Sequence, residues 1–324
     1  MPLTQRSRSG RLADQVYVAL TAIATVIGVV AIAYLIVKTV SQTGDTWDKV
    51  GFWNFLTGTS WIPSRDVFGA LPSIYGTLVT ASIAMVIAVP IAVGCALATT
   101  LLLPHRLRGP IASVIDLLAA IPSVVYGLFG LLVLVPFVKP GLQWVADHSG
   151  PIGFLHGPVL GGSLILASFV LAVMVLPIIT AITREVLATV PVDQQEAAYA
   201  LGATRWEMVK GAMLPWARSG IVGASALGLG RAVGETIAVA MVLGNSPKLW
   251  GSLLGSGQTM AGAIALEFNA AVSKLHQTSL VALAVYLFVV AFLINVLARL
   301  LVTRSSSPEP GPVGRNVQAG KAWV

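Results

Sequence analysis

The stretch Pro191–Pro215, PVDQQEAAYALGATRWEMVKGAMLP, lies between two long apolar blocks, and its local chemistry decides what kind of helical protein surrounds it. Asp193, with Glu196 three residues on, has the form of a capping box, in which a helix-start side chain and a third-position carboxylate satisfy each other's free backbone N–H groups. Thr204 and Glu207 repeat the arrangement. Gly202 sits between them, where the first helix must end and the chain must turn. The stretch predicts two short helices joined by a tight turn and ended by Pro215. That is a shaped elbow, and Ala197, Ala198 and Ala200 give it a face small enough for a partner's groove to approach closely.

On both sides of the elbow the chain is oily. Of 324 residues, 56% are hydrophobic and 10% charged, against about 25% charged in an ordinary soluble domain. The apolar residues fall in blocks, and a bilayer core takes roughly 20 of them per helix. Six segments are long enough, at 16–40, 70–103, 111–138, 160–187, 218–244 and 278–302. The expected fold is therefore all-α, a polytopic membrane protein of six transmembrane helices. Pro90 and Pro122 predict tilt or a kink in the second and third. The first is too long, and too poor in cleavage-site residues, for a signal peptide, so it is read as a retained helix.

The net charge of +7 does not read as a nucleic-acid footprint, because the basic residues flank apolar blocks without interleaved aromatics. With the N-terminus in the cytoplasm, thirteen of the 20 Lys and Arg residues lie inside and six outside, as the positive-inside rule requires. Both termini are then cytoplasmic. Residues 1–15 form a short tail, 16–302 the transmembrane domain, and 303–324 a Ser-, Pro- and Gly-rich tail expected to be disordered. Outside, Trp47, Phe52, Trp53, Phe55 and Trp61 suit an interfacial aromatic belt, and 139–158 and 246–277 are expected to cap the outer mouth.

The single Cys95 excludes an intrachain disulfide. His105, His148, His156 and His276 are scattered at loops and segment ends and are expected to be solvated. The chain contains no G-x-x-x-x-G-K-[ST] phosphate loop and no close His/Asp/Glu cluster. No catalytic residue, metal or cofactor is expected.

In the elbow, Glu196, Ala197, Ala198, Gly202, Leu214 and Pro215 fall in register with the EAA loop of ABC-importer permeases, and the segment resembles that family; Ala212 stands where an aliphatic residue is usual. The resemblance implies a type I, MetI-like permease fold and a coupling helix over 193–210 that docks into a groove of the ATPase subunit. It also implies a permease rather than an enzyme, with ATP hydrolysed in a separate partner chain.

The fifth segment carries two charges in otherwise lipid-like sequence. Arg231 near its centre costs roughly 2.5–3.5 kcal/mol on insertion scales, so it should face a bundle interior or a wet cavity. Glu235 follows at i+4, on the same face of a continuous helix and within salt-bridge reach. The pair reads either as a self-neutralising structural bridge or as a step in a substrate path. Gly220, Gly223, Gly228, Gly230 and Gly234 crowd the helix and allow close neighbours. A guanidinium there suits an oxyanion, since its planar fork donates two bonds to phosphate or carboxylate oxygens.

Three further runs, FGALPSIYGTL (Phe68–Leu78), AAIPSVVYGLFG (Ala119–Gly130) and GRAVGETIAVAMVLGN (Gly230–Asn245), are similar to the PstC family of phosphate-importer permeases, over roughly 65–302. The Phe-Gly-Ala-Leu-Pro start favours that family over the paired PstA permeases. The resemblance implies inorganic phosphate as cargo and Arg231 and Glu235 as translocation residues. It implies as partners a PstA-like second permease, a PstB-like ATPase dimer and a PstS-like phosphate-binding protein, in the bacterial inner membrane. Thr77 and Ser123 in these runs carry no assigned role beyond packing or pore lining. The residues alone leave open an ABC permease for molybdate or sulfate, an ATP-independent channel or secondary transporter, and a membrane scaffold.

Overall fold

A computed structural model describes residues 8–148, 159, 162–247 and 252–305. Among these there is no β-strand beyond one antiparallel bridge, Ile62 with Val67. The helices are α1 (Arg8–Ser41), α2 (Gly44–Lys49), α3 (Phe52–Thr57), α4 (Leu71–Leu97), α5 (His105–Ala120), α6 (Ser123–Phe129), α7 (Val135–His148), α8 (Leu164–Ala188), α9 (Val192–Ala200), α10 (Arg205–Met208), α11 (Leu214–Gly234), α12 (Ile237–Leu243), α13 (Met260–Glu267) and α14 (Lys274–Ser305). Five continuous spans are long and apolar enough to cross a membrane: Asp14–Lys49, Leu71–Leu102, Ser123–His148, Leu164–Ala188 and Lys274–Thr303. A sixth forms if Arg205–Gly234 and Ile237–Leu243, bent by 60°, count as one. The all-α membrane architecture matches the sequence reading.

The centre of the bundle is α4 against α8. Ala81, Ala84, Ala88, Ala92 and Ala96 of α4 recur every three or four residues and are all buried. A stripe of methyl groups lets the two backbones approach, which is how helices associate where lipid is as apolar as leucine. α11 packs against both helices. Cβ atoms on Gly220 and Gly228 would run into Val186 and Ile179, the latter at 2.6 Å, so these two glycines are contact points. Gly223, Gly230 and Gly234 instead face open space. The glycines that looked equivalent in sequence serve two faces of one helix.

Two spans depart from their expected bounds. The third was expected at 111–138, but the helix stops at Ala120 and restarts at Ser123. Ile121 is extended, at φ −64° and ψ 130°, as the residue before a proline tends to be. Pro122 therefore separates two helices instead of kinking one. The spanning part runs to His148, through Lys139. α5, which carries Arg106, Arg108 and Asp116 and buries no residue, becomes a separate amphipathic element. Pro90, by contrast, is accommodated within a continuous α4.

The outer aromatics divide. Phe55 and Trp61 are buried core residues, and Phe55 stacks on Tyr286 with ring centroids 5.8 Å apart. Only Phe52 and Trp53 point outward as a belt would. At the termini, α1 begins at Arg8 and α14 runs to Ser305, so each helix takes in part of an expected tail. The rest of the expected disordered tail, from 306, and most of 149–161 lie outside the described residues.

Candidate functional site

The expected continuous fifth helix is broken at the charged pair. α11 ends at Gly234, Glu235 is extended at ψ 129°, and α12 restarts at Ile237. The i, i+4 geometry that would join Arg231 to Glu235 is thereby lost, and no salt bridge forms between them. Glu235 instead turns toward α12, where its Oε1 accepts a bond from the Ala238 N–H at 3.3 Å. The carboxylate serves a backbone donor that the helix break leaves free.

Arg231 occupies the last turn of α11 and is exposed. The carbonyl end of a helix favours a cation, which helps to hold the guanidinium there. It lies on the stripe of Leu227, Gly230 and Gly234 that this chain leaves uncovered. It is also near enough to act electrostatically on the Tyr126 phenol of α6. Tyr126 donates a 2.8 Å hydrogen bond to the Leu118 carbonyl, which spans the α5–α6 break. Among the described residues, Arg231 is thus a cation with no carboxylate on its fork, at a helix break, beside a second broken span. Ser123 begins α6 and is half-buried, whereas Thr77 is buried in α4 and accepts the Met260 N–H at 2.9 Å.

At the far end of α8 lies the elbow. α9 ends in a left-handed Gly202, φ +83°. Gly202 N–H donates to the Tyr199 carbonyl and Ala203 N–H to that of Ala198, the paired bonds of a Schellman turn. Thr204 and Glu207 form the expected capping box: the Thr204 hydroxyl accepts the Glu207 N–H while the carboxylate accepts the Thr204 N–H at 2.8 Å. The other expected box is absent. α9 starts at Val192, with Pro191 in the cap position, so Asp193 falls inside the first turn.

Nor does Pro215 end the second helix. A π-helical turn, Val209–Met213, joins α10 to α11, and Pro215 sits in the first turn of α11. The wider register leaves room for a residue that has no N–H to offer. Of the expected coupling residues, Glu196, Ala197, Gly202 and Pro215 are exposed. Ala198 and Leu214 pack inward against Leu187, Val190, Met208 and Met213, seating the elbow on α8. Leu201, next to Gly202, is 88% exposed.

His276 was expected to be solvated and is instead 6% exposed, with Nε2 3.1 Å from Glu267 Oε2. Glu267 was not singled out in sequence at all; the available signal was one carboxylate in the apolar run Met260–Phe268.

With this geometry established, comparison with known proteins gives a consistent result. Residues 88–307 match the family described as binding-protein-dependent transport system inner membrane component. The phosphate transport system permease protein PstC of Mesorhizobium japonicum is 41% identical, over 90% of this chain and 91% of that one. PstC of Xylella fastidiosa is 46% identical, over 79% and 80%. Among solved structures, a bacterial alginate ABC transporter in complex with an oligosaccharide-bound periplasmic protein covers 93% of this chain and 98% of its own at TM-score 0.61 and 16% identity. The MetNI methionine ABC transporter, in an inward-facing conformation, covers 74% and 95% at TM-score 0.53 and 19% identity. These two likenesses are of fold. The broken span at Arg231, the elbow and the sequence relatives agree: this chain belongs to the binding-protein-dependent inner membrane permeases and, among them, to the phosphate transport permeases PstC.

Proposed function

We infer that this chain is a transmembrane permease subunit of an ATP-driven inorganic phosphate importer and forms half of its translocation pathway. The observation that carries this reading is Arg231, exposed on an uncovered, glycine-bearing face where the fifth span breaks. An intramembrane arginine without a counter-ion among the described residues is costly unless something mobile and anionic answers it. A guanidinium matches the oxygens of phosphate with two parallel bonds. Arg231 gives the passing anion transient compensation. Glu235, directed at α12 and not at Arg231, leaves that fork free and repels the anion onward. One arginine per subunit keeps binding weak enough for release.

Membership of the family supports an assembly built around this chain. A PstA-like permease closes the other half of the path, and a PstS-like binding protein delivers phosphate from outside. Two PstB-like ATPase subunits grip the elbows, with Glu196, Ala197, Ala198, Gly202, Leu214 and Pro215 forming and seating the coupling surface. ATP is hydrolysed in those partners. The chain sits in the bacterial inner membrane with both termini cytoplasmic, the orientation that puts the elbow on the ATPase side.

Arg231→Gln is the direct test. Phosphate uptake by the assembled complex is expected to be abolished, and normal uptake in that variant removes Arg231 from the mechanism. Competition by sulfate and molybdate against phosphate uptake separates a phosphate permease from one for another oxyanion.

A further inference from the structure

We propose that Glu267 is a positioning residue for the translocation step: it clasps the outer end of α12 and so fixes where the break that presents Arg231 and Glu235 lies. The proposal rests on the reading of Arg231 given above.

The geometry is that of a saturated carboxylate. Glu267 Oε1 accepts from Gln258 Nε2 at 2.7 Å and from Asn245 Nδ2 at 3.2 Å. Oε2 accepts from Trp61 Nε1 at 2.8 Å and lies 3.1 Å from His276 Nε2. An ionised carboxylate offers about four lone-pair sites and donates nothing, and here four side chains meet them. Each comes from a different part of the chain. Trp61 belongs to the segment after α3, and His276 to α14, where its ring stacks on Phe68 at 5.2 Å. Gln258 precedes α13 and takes the Ser73 hydroxyl of α4 on its own oxygen. Asn245 directly follows the left-handed Gly244 that ends α12.

Asn245 is the link to transport. α12 is short, and its inner end carries Glu235 on the Ala238 N–H. Its outer end is fixed to the rest of the bundle through Asn245 and, one residue on, by the Ser246 N–H on the Gly257 carbonyl at 2.8 Å. A half-helix held at one end has its other end set by its length. Glu267 therefore determines the placement of the break without touching the cargo. The four donors also spread its negative charge, which matters at the mouth of a path for anions.

The donor pattern makes a specific test available. Glu267→Gln keeps size and shape but turns an NH2 group toward donors on one side. Exchanging the two side chains, Glu267→Gln with Gln258→Glu, keeps composition and charge and again gives the amide at 267 a carboxylate acceptor. In the reconstituted complex, with assembly scored by co-purification, E267Q is expected to lower the Vmax of phosphate uptake by roughly tenfold, with KM within about twofold. The exchange is expected to recover most of that loss. A part that merely fills space would not respond to which of two neighbours holds the carboxylate. Uptake by E267Q at the wild-type rate, or an exchange no better than E267Q alone, overturns the proposal. If E267Q does not assemble, the exchange decides by itself: an assembled, transporting complex supports the clasp and a failed one overturns it. Arg231→Gln is run alongside. Normal uptake there overturns the pathway reading and the clasp with it, whereas loss there with normal uptake in E267Q overturns the clasp alone.

Discussion

Arg231 and Glu235 were legible in the sequence as residues but not as a geometry. Their presence in an apolar segment sufficed to single them out, because insertion energetics make such charges rare. Their relation was misread because i, i+4 spacing implies a shared face only while the helix continues. The Gly234–Thr236 break redirects Glu235 to a backbone donor; Gly234 weakens the helix, but so do the four other glycines of the segment, and propensity does not choose among them. This separates two contributions of Glu235 that can be measured. Glu235→Gln keeps an acceptor for the Ala238 N–H and removes the charge. Phosphate uptake is expected to fall while the melting temperature of the purified complex stays within error. Glu235→Ala removes the acceptor too and is expected to cost about 1 kcal/mol of stability in addition, the usual value of a lost helix-start cap. Equal uptake in Glu235→Gln and the parent chain would show that the charge takes no part in transport. Glu267 escaped notice, and His276 was expected to be solvated, for a simpler reason: Trp61, Asn245, Gln258 and His276 are spread along the chain, so only folding brings them onto one carboxylate.

Among the elements, those governed by local chemistry were read best. Gly202 and the Thr204–Glu207 box are short-range devices, and both appear as expected. The bounds of the third span and the end of α10 depended on how the backbone absorbs a proline, which has several solutions. At Pro122 the chain breaks, at Pro90 and Pro140 the helix continues, and before Pro215 it widens into a π turn. The elbow's prediction follows from its turn. Gly202 adopts φ +83°, a region that costs an ordinary residue roughly 1–2 kcal/mol and a β-branched one more. Its added Cβ would meet no neighbour, so the effect of Gly202→Val is conformational and not steric. The substitution is expected to tilt α9 relative to α10 and to uncouple uptake from ATP hydrolysis, read as less phosphate moved per ATP consumed. An assembled complex with a normal ratio would show that this turn does not set the docking surface.

The described helices bury a main core and leave one face of α11 uncovered. Apart from the half-buried Thr39, α1 is exposed along its described side chains and meets the bundle through α14, while the inner elements bury their own core around α4, α8 and α11. The stripe that carries Arg231 is not part of that core. Leu227 is 61% exposed and Ile237 47%, so apolar side chains that this chain's own helices leave uncovered stand on either side of the arginine in sequence. On the pathway proposed above, the uncovered face that carries Arg231 is one of its walls, and the α11 glycines give the direction of that face. Gly228 is turned inward on Ile179, one residue from Leu227, which is turned outward. Neighbouring positions on one helix therefore make opposite predictions in the assembled transporter. With Cys95 replaced by Ala, a cysteine at Leu227 is expected to form a disulfide with cysteines scanned along the corresponding span of the second permease. A cysteine at Gly228 is expected to form none. Cross-linking from both positions would mean that α11 rotates freely in the assembly, and from neither that the second wall lies elsewhere. Cross-linking from Leu227 alone makes the face that presents Arg231 the seam between the two permeases, so that the anion passes between subunits and not through either one.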